Sequence, residues 1–347
     1  MSTIKDIAKI AGVSVATVSR YLNGTGYVSA ETGRSIDAAC VQLKYTVKKR
    51  KSKNHTDGQN DVIGVIFTKY NNSFFAEALK GIEKVAAEHG KEVIISLTHE
   101  RPELEMRKLE ILRSRVGGLI ITPVTEMVAY NASYIKEIDN TIMPVVLLGR
   151  DISLEYLDGV FEDDYMGAME GVSSLVAEGH RDIAILSGPT TCKPGLTRLN
   201  GYMQALKNNH IPVREEYILY GDFDTERAYQ QTKKLLQRKL PVTAVFAANV
   251  DMGLGVLKAI DELGMKIPDD IAFLMYDDFP TFDFKGIGYS VIKNSGISMG
   301  EEAASLLLSR MKERKRTRQG PARRVMLTPT LQLRGSESLG KKELLAD

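Results

Sequence analysis

The spacing of apolar residues changes character near residue 60, and the two parts of the chain predict different architectures. Before that point, Ile4, Ile7, Ala8 and Ala11 recur at intervals of three and four, which is typical of a short helix with one buried face. After it, short runs rich in Val, Ile and Leu alternate with longer segments of helical periodicity. Such alternation predicts an α/β fold with parallel sheets. We therefore expect a small all-α head followed by a larger α/β body.

The head is predicted to contain three helices. Thr3, followed three residues later by Asp6, is an N-cap signal, and Gly12 suits the left-handed position that often ends a helix. Ser14 is expected to cap a second helix, which stops before Gly24, and a third helix follows. Two short helices joined by a tight glycine-containing turn, with a third in support, describe a helix-turn-helix.

The body is predicted to form two doubly wound parallel-sheet units of more than a hundred residues each. Its strand-like runs are, in chain order, DVIGVIF, EVIISL, GGLIITP, MPVVLLG, DIAILSG, YILYGDF, AVFAAN and IAFLMYDD. Helical segments separate these runs, at about 75–88, 104–115, 166–178, 197–208, 226–238 and 251–263. Ligands of such sheets bind beyond the carboxyl ends of the strands, so we expect a ligand cleft between the two units.

Charge is distributed unevenly along the chain, and this indicates a partner for the head. The net charge is only +2, but residues 1–60 contain ten basic and four acidic residues, so this segment carries about +6. A basic head on a slightly acidic body suits a polyanion such as DNA. A solvated basic tail is the alternative interpretation of the charge alone.

Composition argues against several other classes of protein. No run of eighteen apolar residues predicts a membrane span, and the N-terminus lacks the apolar stretch of a secretory signal. Cys40 and Cys192 are far apart and fit neither a disulfide framework nor a metal site. Gly253 and Gly255 lack the third glycine of a dinucleotide fingerprint. We therefore predict a cytoplasmic protein that is not an enzyme, with no catalytic residues, no metal and no cofactor.

Residues 3–23 resemble the signature of the LacI/GalR repressor family. The signature reads T-I-x-D-V-A-x-x-A-G-V-S-x-x-T-V-S-R-x-L-N, and the chain reads TIKDIAKIAGVSVATVSRYLN, with Ile7 in place of Val. The resemblance implies a homodimer that places two recognition helices in successive major grooves of a pseudo-palindromic, double-stranded operator. Arg20 is suited to the bidentate contact with guanine, whereas Val15 and Ala16 offer apolar contacts.

Eleven residues of the head and linker are predicted to bind DNA. Short hydroxyl side chains near the second helix suit phosphate oxygens, although the same hydroxyls would serve as caps in a helical bundle that does not bind DNA. The predicted DNA-binding residues are Thr3, Ser14, Val15, Ala16, Thr17, Ser19, Arg20, Asn23, Tyr27, Lys48 and Arg50.

The basic stretch at 46–60 departs from the family pattern. After Tyr45 the family usually continues x-P-N-x-x-A-R-x-L, and its final Leu wedges into the minor groove; here Val47, Lys48 and Asn54 occupy the Pro, Asn and Leu positions. Asn54 cannot supply the apolar wedge that unstacks bases. The stretch is therefore predicted either as a hinge helix without a wedge or as a flexible basic linker that neutralises phosphates.

The resemblance extends over the body, through NNSFFAEALKGIE, EGHRDIAILSGP, RLNGYMQAL and DDIAFLMYDD. These runs are similar to landmarks of the family's effector domain, which has the periplasmic sugar-binding-protein fold and three chain crossings between subdomains. The implied organisation is a helix-turn-helix domain at 1–45, a basic linker at 46–60 and an effector-binding and dimerisation domain at 61–340. The first subdomain would comprise about 61–160 and 290–322, and the second about 161–289 and 323–340.

Seven residues match the family's effector contacts or lie beside them. Arg, Asp and Asn at strand ends can bind sugar hydroxyls, and Phe can stack on the apolar face of a sugar ring. Core packing of the phenylalanines, a capping role for the aspartate and a surface salt bridge for the arginine are the alternatives. The predicted effector-binding residues are Phe74, Phe75, Arg150, Arg198, Phe223, Asn249 and Asp277.

The function predicted from these patterns is sequence-specific transcriptional regulation, and we expect a repressor controlled by a small sugar or sugar derivative. A sugar-binding receptor without a gene-regulatory role is the alternative. Where many relatives have Asp after the VVLL-type strand, this chain has Gly149 and Arg150, and Val250 replaces another Asp. These changes suggest an effector that is more anionic, or carries fewer free hydroxyls, than a plain pentose.

Overall fold

The computed structural model describes residues 3–23, 28–43, 61–69, 72–124, 143–152, 157–238, 240–278, 288–313 and 321–339. The chain divides into two compact units, Met1–Thr56 and Asp57–Asp347. The predicted linker, including Asn54, lies outside the described residues, as do Tyr27, Lys48, Arg50 and the side chain of Asn23.

The described residues of the first unit form three helices: α1 (Ile4–Ala11), α2 (Val15–Asn23) and α3 (Ala30–Gln42). The backbone N–H and the hydroxyl of Thr3 both donate to the Asp6 carboxylate, at 2.7 and 2.8 Å, so the predicted N-terminal signal of α1 is confirmed. Gly12 ends α1 with a φ of +67°, in the left-handed region that was predicted. The apolar faces of the helices share a small core of Ile7, Ala8, Val18, Ile36 and Ala39.

The second unit consists of two parallel α/β subdomains. Its strands are β1 (Val62–Phe67), β2 (Glu92–Leu97), β3 (Gly118–Ile121), β4 (Val145–Leu148), β5 (Asp158–Glu162), β6 (Ile183–Ser187), β7 (Ile218–Tyr220), β8 (Ala244–Ala247), β9 (Ala272–Tyr276), β10 (Ser290–Lys293), β11 (Arg324–Leu327) and β12 (Thr330–Gln332). Its helices are α4 (Ser73–Glu88), α5 (Pro102–Leu112), α6 (Asp164–Ala177), α7 (Lys193–Asn208), α8 (Thr225–Gln237), α9 (Val250–Glu262) and α10 (Gly296–Glu313).

Each subdomain is built on one sheet. The strand orders are β11-β5-β4-β3-β1-β2 and β12-β10-β9-β8-β6-β7, and the pairings are parallel except that β10 and β12 run antiparallel. Continuous apolar runs such as β4, β6 and β8 are buried on both faces, because helices cover both sides of each sheet. The predicted α/β class and the eight predicted strands are therefore confirmed.

The chain crosses between the subdomains after β5, after β10 and after β11. The predicted boundaries in the last part of the chain are therefore wrong. Residues 290–293 stay in the second sheet, because β10 pairs with β9. Residues 324–327 belong to the first sheet, because β11 pairs with β5. Pro329 lies between β11 and β12 and lacks a backbone N–H, so it separates the two strands.

The strand β5 was not predicted, and a distant ion pair explains why it is stable. Its first residue, Asp158, is fully buried and accepts hydrogen bonds from Nε and Nη2 of Arg310 on α10, at 2.7 and 2.9 Å. The carboxylate can be buried only because this partner is present. Within the part of the chain that the structure describes, no helix is long and apolar enough to cross a membrane.

Candidate functional site

All seven predicted effector-binding residues line a single cleft between the two sheets. The cleft lies beyond the carboxyl ends of the strands: Gly149 and Arg150 follow β4, Asn249 follows β8 and Asp277 follows β9. This is the edge at which ligands of parallel sheets bind, because the strand-to-helix loops meet there. The structure thus brings together residues that are more than 200 positions apart in the chain.

Aromatic rings contribute to opposite walls of the cleft. Phe74 and Phe75 begin α4, where the Asn72 side chain caps the helix by accepting from the Phe74 backbone N–H at 2.9 Å. Phe75 is buried and packs on Phe67, so its predicted alternative role in the core also holds. Phe223, with a φ of +55°, contributes from the second subdomain.

Arg198, on α7, is held rigidly at the centre of the second subdomain's wall. Its Nε donates to Asp164 at 2.7 Å, its Nη1 donates to the Ala248 carbonyl at 2.6 Å, and its guanidinium stacks 3.6 Å from the centre of the Tyr276 ring. Burial would lower the pKa of Arg198, but the charges of Asp164 and Asp277 outweigh burial and raise it. The side chain is therefore a fixed cation, and its salt bridge is buried, unlike the surface salt bridge that was the alternative interpretation.

Asn249 and Asp277 both occupy strand ends and both carry structural hydrogen bonds. Asn249 caps α9, accepting from the Met252 backbone N–H at 2.9 Å, which leaves its amide nitrogen as the group that can donate to a ligand. Asp277 has a φ of +71° and accepts from the Asn294 side chain at 2.7 Å. The carboxylate is thereby fixed at the cleft surface as an acceptor for hydroxyl groups.

In the first unit, α2 has one buried face and one exposed face. Val18 is fully buried, whereas Val15, Ala16 and Arg20 are exposed, as a recognition helix requires. Ser14 precedes the helix and caps it: its hydroxyl accepts from the Thr17 backbone N–H at 3.0 Å and bonds the Thr17 hydroxyl at 2.8 Å. The alternative capping role of these hydroxyls is therefore present alongside the exposed face.

Two family profiles together match almost the whole chain. Residues 3–47 match the bacterial regulatory proteins of the lacI family, and residues 60–326 match the periplasmic binding proteins and sugar binding domain of the LacI family. The second match alone covers well over half of the chain. The chain belongs to the LacI family.

Individual LacI-family relatives match over nearly their full length. The PurR repressor of Klebsiella pneumoniae (strain 342) is 32% identical over 90% of this chain and 91% of its own. The probable ExuR repressor of Bacillus subtilis (strain 168) is also 32% identical, over 90% and 92%. Among solved structures, the CelR–cellobiose complex has a TM-score of 0.71 at 26% identity, covering 97% of this chain and 100% of that one. The operator-bound Lac repressor dimer has a TM-score of 0.69 at 26% identity, covering 97% and 99%.

Membership of the LacI family decides between the predicted functional classes. The chain is a DNA-binding transcriptional regulator with a ligand-binding effector domain, and the receptor without a gene-regulatory role is set aside. The expectation that the chain is not an enzyme is likewise confirmed by its repressor relatives. Among the described residues, no group of three His, Cys, Asp or Glu side chains is arranged to hold a metal ion.

The hypothesis of a more anionic effector is not supported by the surroundings of Arg150. Its Nη1 and Nη2 donate to the two carboxylate oxygens of Glu100, both at 2.9 Å. Nη1 also donates to the carbonyls of Pro123 and Val124, at 3.2 and 3.1 Å. The guanidinium that suggested an anionic ligand is thus neutralised by a carboxylate 50 residues earlier, which sequence spacing could not reveal.

The cleft also contains five charged residues that were not predicted. Lys69 follows β1, and its Nζ donates to the Phe223 carbonyl at 3.3 Å, joining the two subdomains. The other four are acidic: Glu100, Glu162, Asp164 and Asp251. Burial raises the pKa of Asp251, and burial together with Asp164 raises the pKa of Glu162 to about 8. Lys69 could have been found from its position just after β1, and Asp251 from its position in the first turn of α9, but Glu162 lies in the unpredicted strand β5.

Proposed function

We propose that the cleft binds a neutral sugar or sugar derivative and that this binding controls the affinity of a homodimer for its operator. The observation that carries the proposal is the convergence of fixed polar groups and aromatic rings on one cleft. Arg198, Asn249 and Asp277 supply donors and an acceptor, and Phe74 and Phe223 supply apolar surface. This combination suits a ring with hydroxyl groups on its edge and C–H groups on its face.

The charges of the cleft favour a neutral ligand over an anionic one. Three cationic residues line it, namely Lys69, Arg150 and Arg198, against five acidic residues, of which four remain carboxylates when Glu162 is neutral. Arg150 is paired with Glu100, and Arg198 is paired with Asp164. An anionic group on the ligand would therefore meet an excess of carboxylates, whereas hydroxyl donors would find acceptors.

Regulation is proposed to follow from closure of the cleft. In a dimer, a change in the angle between subdomains alters the spacing of the two heads, and such coupling between sites is typically ~1–3 kcal/mol. The relatives named repressors and the operator-bound Lac repressor dimer support a repressor that acts as a dimer on a pseudo-palindromic site. We place it in the cytoplasm, where its DNA partner is accessible.

Reading of the operator is assigned to the exposed face of α2. Arg20 would donate two hydrogen bonds to a guanine, and Val15 and Ala16 would contact apolar base edges. Basic residues of the linker, including Lys48 and Arg50, would neutralise phosphates and make binding dependent on salt.

Ligand binding is tested by calorimetric titration of the full chain with three probes: ribose, cellobiose and glucuronate. We expect binding of a neutral sugar, and loss of that binding in Asp277→Asn. Asn tolerates the left-handed backbone at this position, so the variant removes charge without adding strain. Asp269→Asn, at an exposed position of the same subdomain, is the matched control and should bind normally. Binding of glucuronate alone would overturn the neutral-ligand proposal.

DNA binding is tested by electrophoretic shift on the region upstream of the chain's own gene. The full chain should shift this DNA, and a truncation beginning at Asp61 should not. Equal shifts by the two proteins would contradict the assignment of DNA binding to the head.

A further inference from the structure

The three crossings between subdomains are joined to one another by hydrogen bonds. The Asp163 backbone N–H, in the first crossing, donates to the Leu327 carbonyl in the third at 2.8 Å. The Ser295 backbone N–H, in the second crossing, donates to Oε1 of Glu162 at 2.8 Å. The Ser295 hydroxyl donates to the Thr328 carbonyl in the third crossing at 3.3 Å. Glu162 is thus the side chain through which the first crossing holds the second.

Glu162 also belongs to the surface of the effector cleft. It lines the cleft with Asp164 and Arg198, and on its other side it lines a smaller cavity with Asp151 and Lys193. The residue therefore occupies the position where a ligand in the cleft and the hinge of the subdomains meet.

The charged groups around Glu162 disfavour its ionised form. Asp164 lies two residues away and is paired with Arg198, and the Tyr276 ring and Asp277 carboxyl come from the end of β9. Across the smaller cavity, Asp151 is paired with both Lys193 and Arg324, at 2.7 and 2.6 Å, so these two cations are already engaged by another carboxylate. An ionised Glu162 would add a third carboxylate to a partly buried group that contains one guanidinium.

We propose that Glu162 is a positioning residue that locks the three crossings together as a neutral carboxylic acid, and that the hinge loosens when this acid ionises. The Ser295 N–H donates to the carboxyl in either form, and ionisation loosens the hinge because the new charge is repelled by the carboxyl groups of Asp164 and Asp277. The hydroxyl of the neutral acid remains a donor toward the cleft. The inference rests on the proposed function in one respect, because a pH-sensitive hinge regulates DNA binding only if closure of the cleft does so.

The electrostatics of the folded protein agree with this role. Burial, followed by repulsion from Asp164, raises the pKa of Glu162 from its ordinary value of 4.5 to about 8, against the opposing effects of the Ser295 N–H and Arg198. The folded protein therefore holds a proton that the unfolded chain loses near pH 4.5. Stability linked to this group is present at low pH, falls as the pH rises toward 8, and levels off above it.

The first test compares urea unfolding of the wild type and Glu162→Gln between pH 5.5 and 9.5. Because glutamine mimics the neutral acid, the unfolding equilibrium constant of the wild type should rise relative to the variant by up to about tenfold per pH unit below pH 8. Above pH 8 the ratio should be constant. Parallel pH profiles of the two proteins would overturn the proposal of a neutral acid.

The second test measures hydrogen exchange in peptides covering 290–296 and 325–332 of the full chain. Exchange should be faster in Glu162→Ala than in the wild type, and Glu162→Gln should restore protection at pH 7 and pH 9. Glu105→Gln is the matched control, because Glu105 is another buried carboxyl that accepts a backbone N–H, from Val124 at 2.7 Å. It should leave exchange at the crossings unchanged, and equal exchange in all four proteins would overturn the hinge role.

These two measurements need neither DNA nor effector, so their outcome is independent of the proposed function. If the full chain fails to shift DNA while the pH and exchange results are as expected, only the regulatory function fails. If a neutral sugar and DNA bind while Glu162→Gln behaves like the wild type at every pH, only the inference about Glu162 fails.

Discussion

Replacement of Arg198 by methionine should separate the structural role of this side chain from its role in ligand binding. The variant leaves the Asp164 carboxylate buried without its partner at 2.7 Å. Breaking a buried ion pair from one side typically costs ~3–5 kcal/mol of unfolding free energy. The double variant Asp164→Asn with Arg198→Met removes both charges, so it should recover most of that loss.

Binding should respond differently to the same two variants. Both lack the guanidinium, so both should lose the charge-assisted hydrogen bonds to the ligand, which contribute ~1.5–3 kcal/mol. This corresponds to an affinity for the neutral sugar that is weaker by about 10- to 150-fold. The chain contains no tryptophan, so unfolding in urea is followed by circular dichroism and binding by calorimetry.

Two results would refute this reasoning. If the double variant bound the sugar as tightly as the wild type, Arg198 would be a structural residue only. If Arg198→Met lost less than about 1 kcal/mol of unfolding free energy, the buried pair with Asp164 would not have the assigned importance. A further check is the pH dependence: because the pKa of Asp164 is already raised by burial, the deficit of Arg198→Met should shrink as the pH is lowered.

Three more predictions concern the head, the helix packing and the closed cleft. Arg20→Ala should weaken operator binding by roughly 1–3 kcal/mol and relax discrimination at one base pair. Unchanged specificity in a shift assay with mutated operators would contradict the assigned contact between Arg20 and guanine. Gly300→Ala should lower the unfolding free energy by about 1–3 kcal/mol, because the added Cβ would lie 2.0 Å from the Ala78 carbonyl oxygen where α10 packs on α4. If the variant unfolded at the same urea concentration as the wild type, the close packing of the two helices would not contribute to stability as assigned. Lys69→Met removes the hydrogen bond to the Phe223 carbonyl, so it should weaken sugar affinity a few-fold and change the unfolding free energy by less than about 1 kcal/mol. A wild-type affinity in calorimetry would count against a role for Lys69 in closure of the cleft.

Much of the fold follows from local patterns in the chain. The strands β1, β4, β6 and β8 are short apolar runs whose burial on both faces matches their composition. The start of α1 follows from Thr3 and Asp6, since the Asp6 carboxylate accepts from the Thr3 backbone N–H, and the cap of α2 follows from Ser14, whose hydroxyl accepts from the Thr17 backbone N–H. In these places the local preference of the sequence and the tertiary environment agree.

Other features depend on partners that are distant in the chain and could not be predicted. The strand β5 begins with a charged residue that is buried only because Arg310 lies against it, 152 positions later. The pairing of Arg150 with Glu100, 50 positions earlier, was likewise not predictable from spacing. The third crossing lies after β11, later in the chain than predicted, because β11 pairs with β5 in the first sheet. In each case a tertiary contact outweighs the local pattern.

The late crossings have a consequence for how the protein is synthesised. Both sheets need strands from the last part of the chain: β10 and β12 for the second, and β11 for the first, which is also covered by α10. Neither subdomain is therefore complete until residues near 330 have left the ribosome. A premature stop codon before Gly296 would leave an intact helix-turn-helix attached to two unfinished sheets, with the apolar face of α4 uncovered. Such a fragment would be a substrate for proteases, so loss of the C-terminal residues should remove the regulator from the cell instead of releasing a free DNA-binding head.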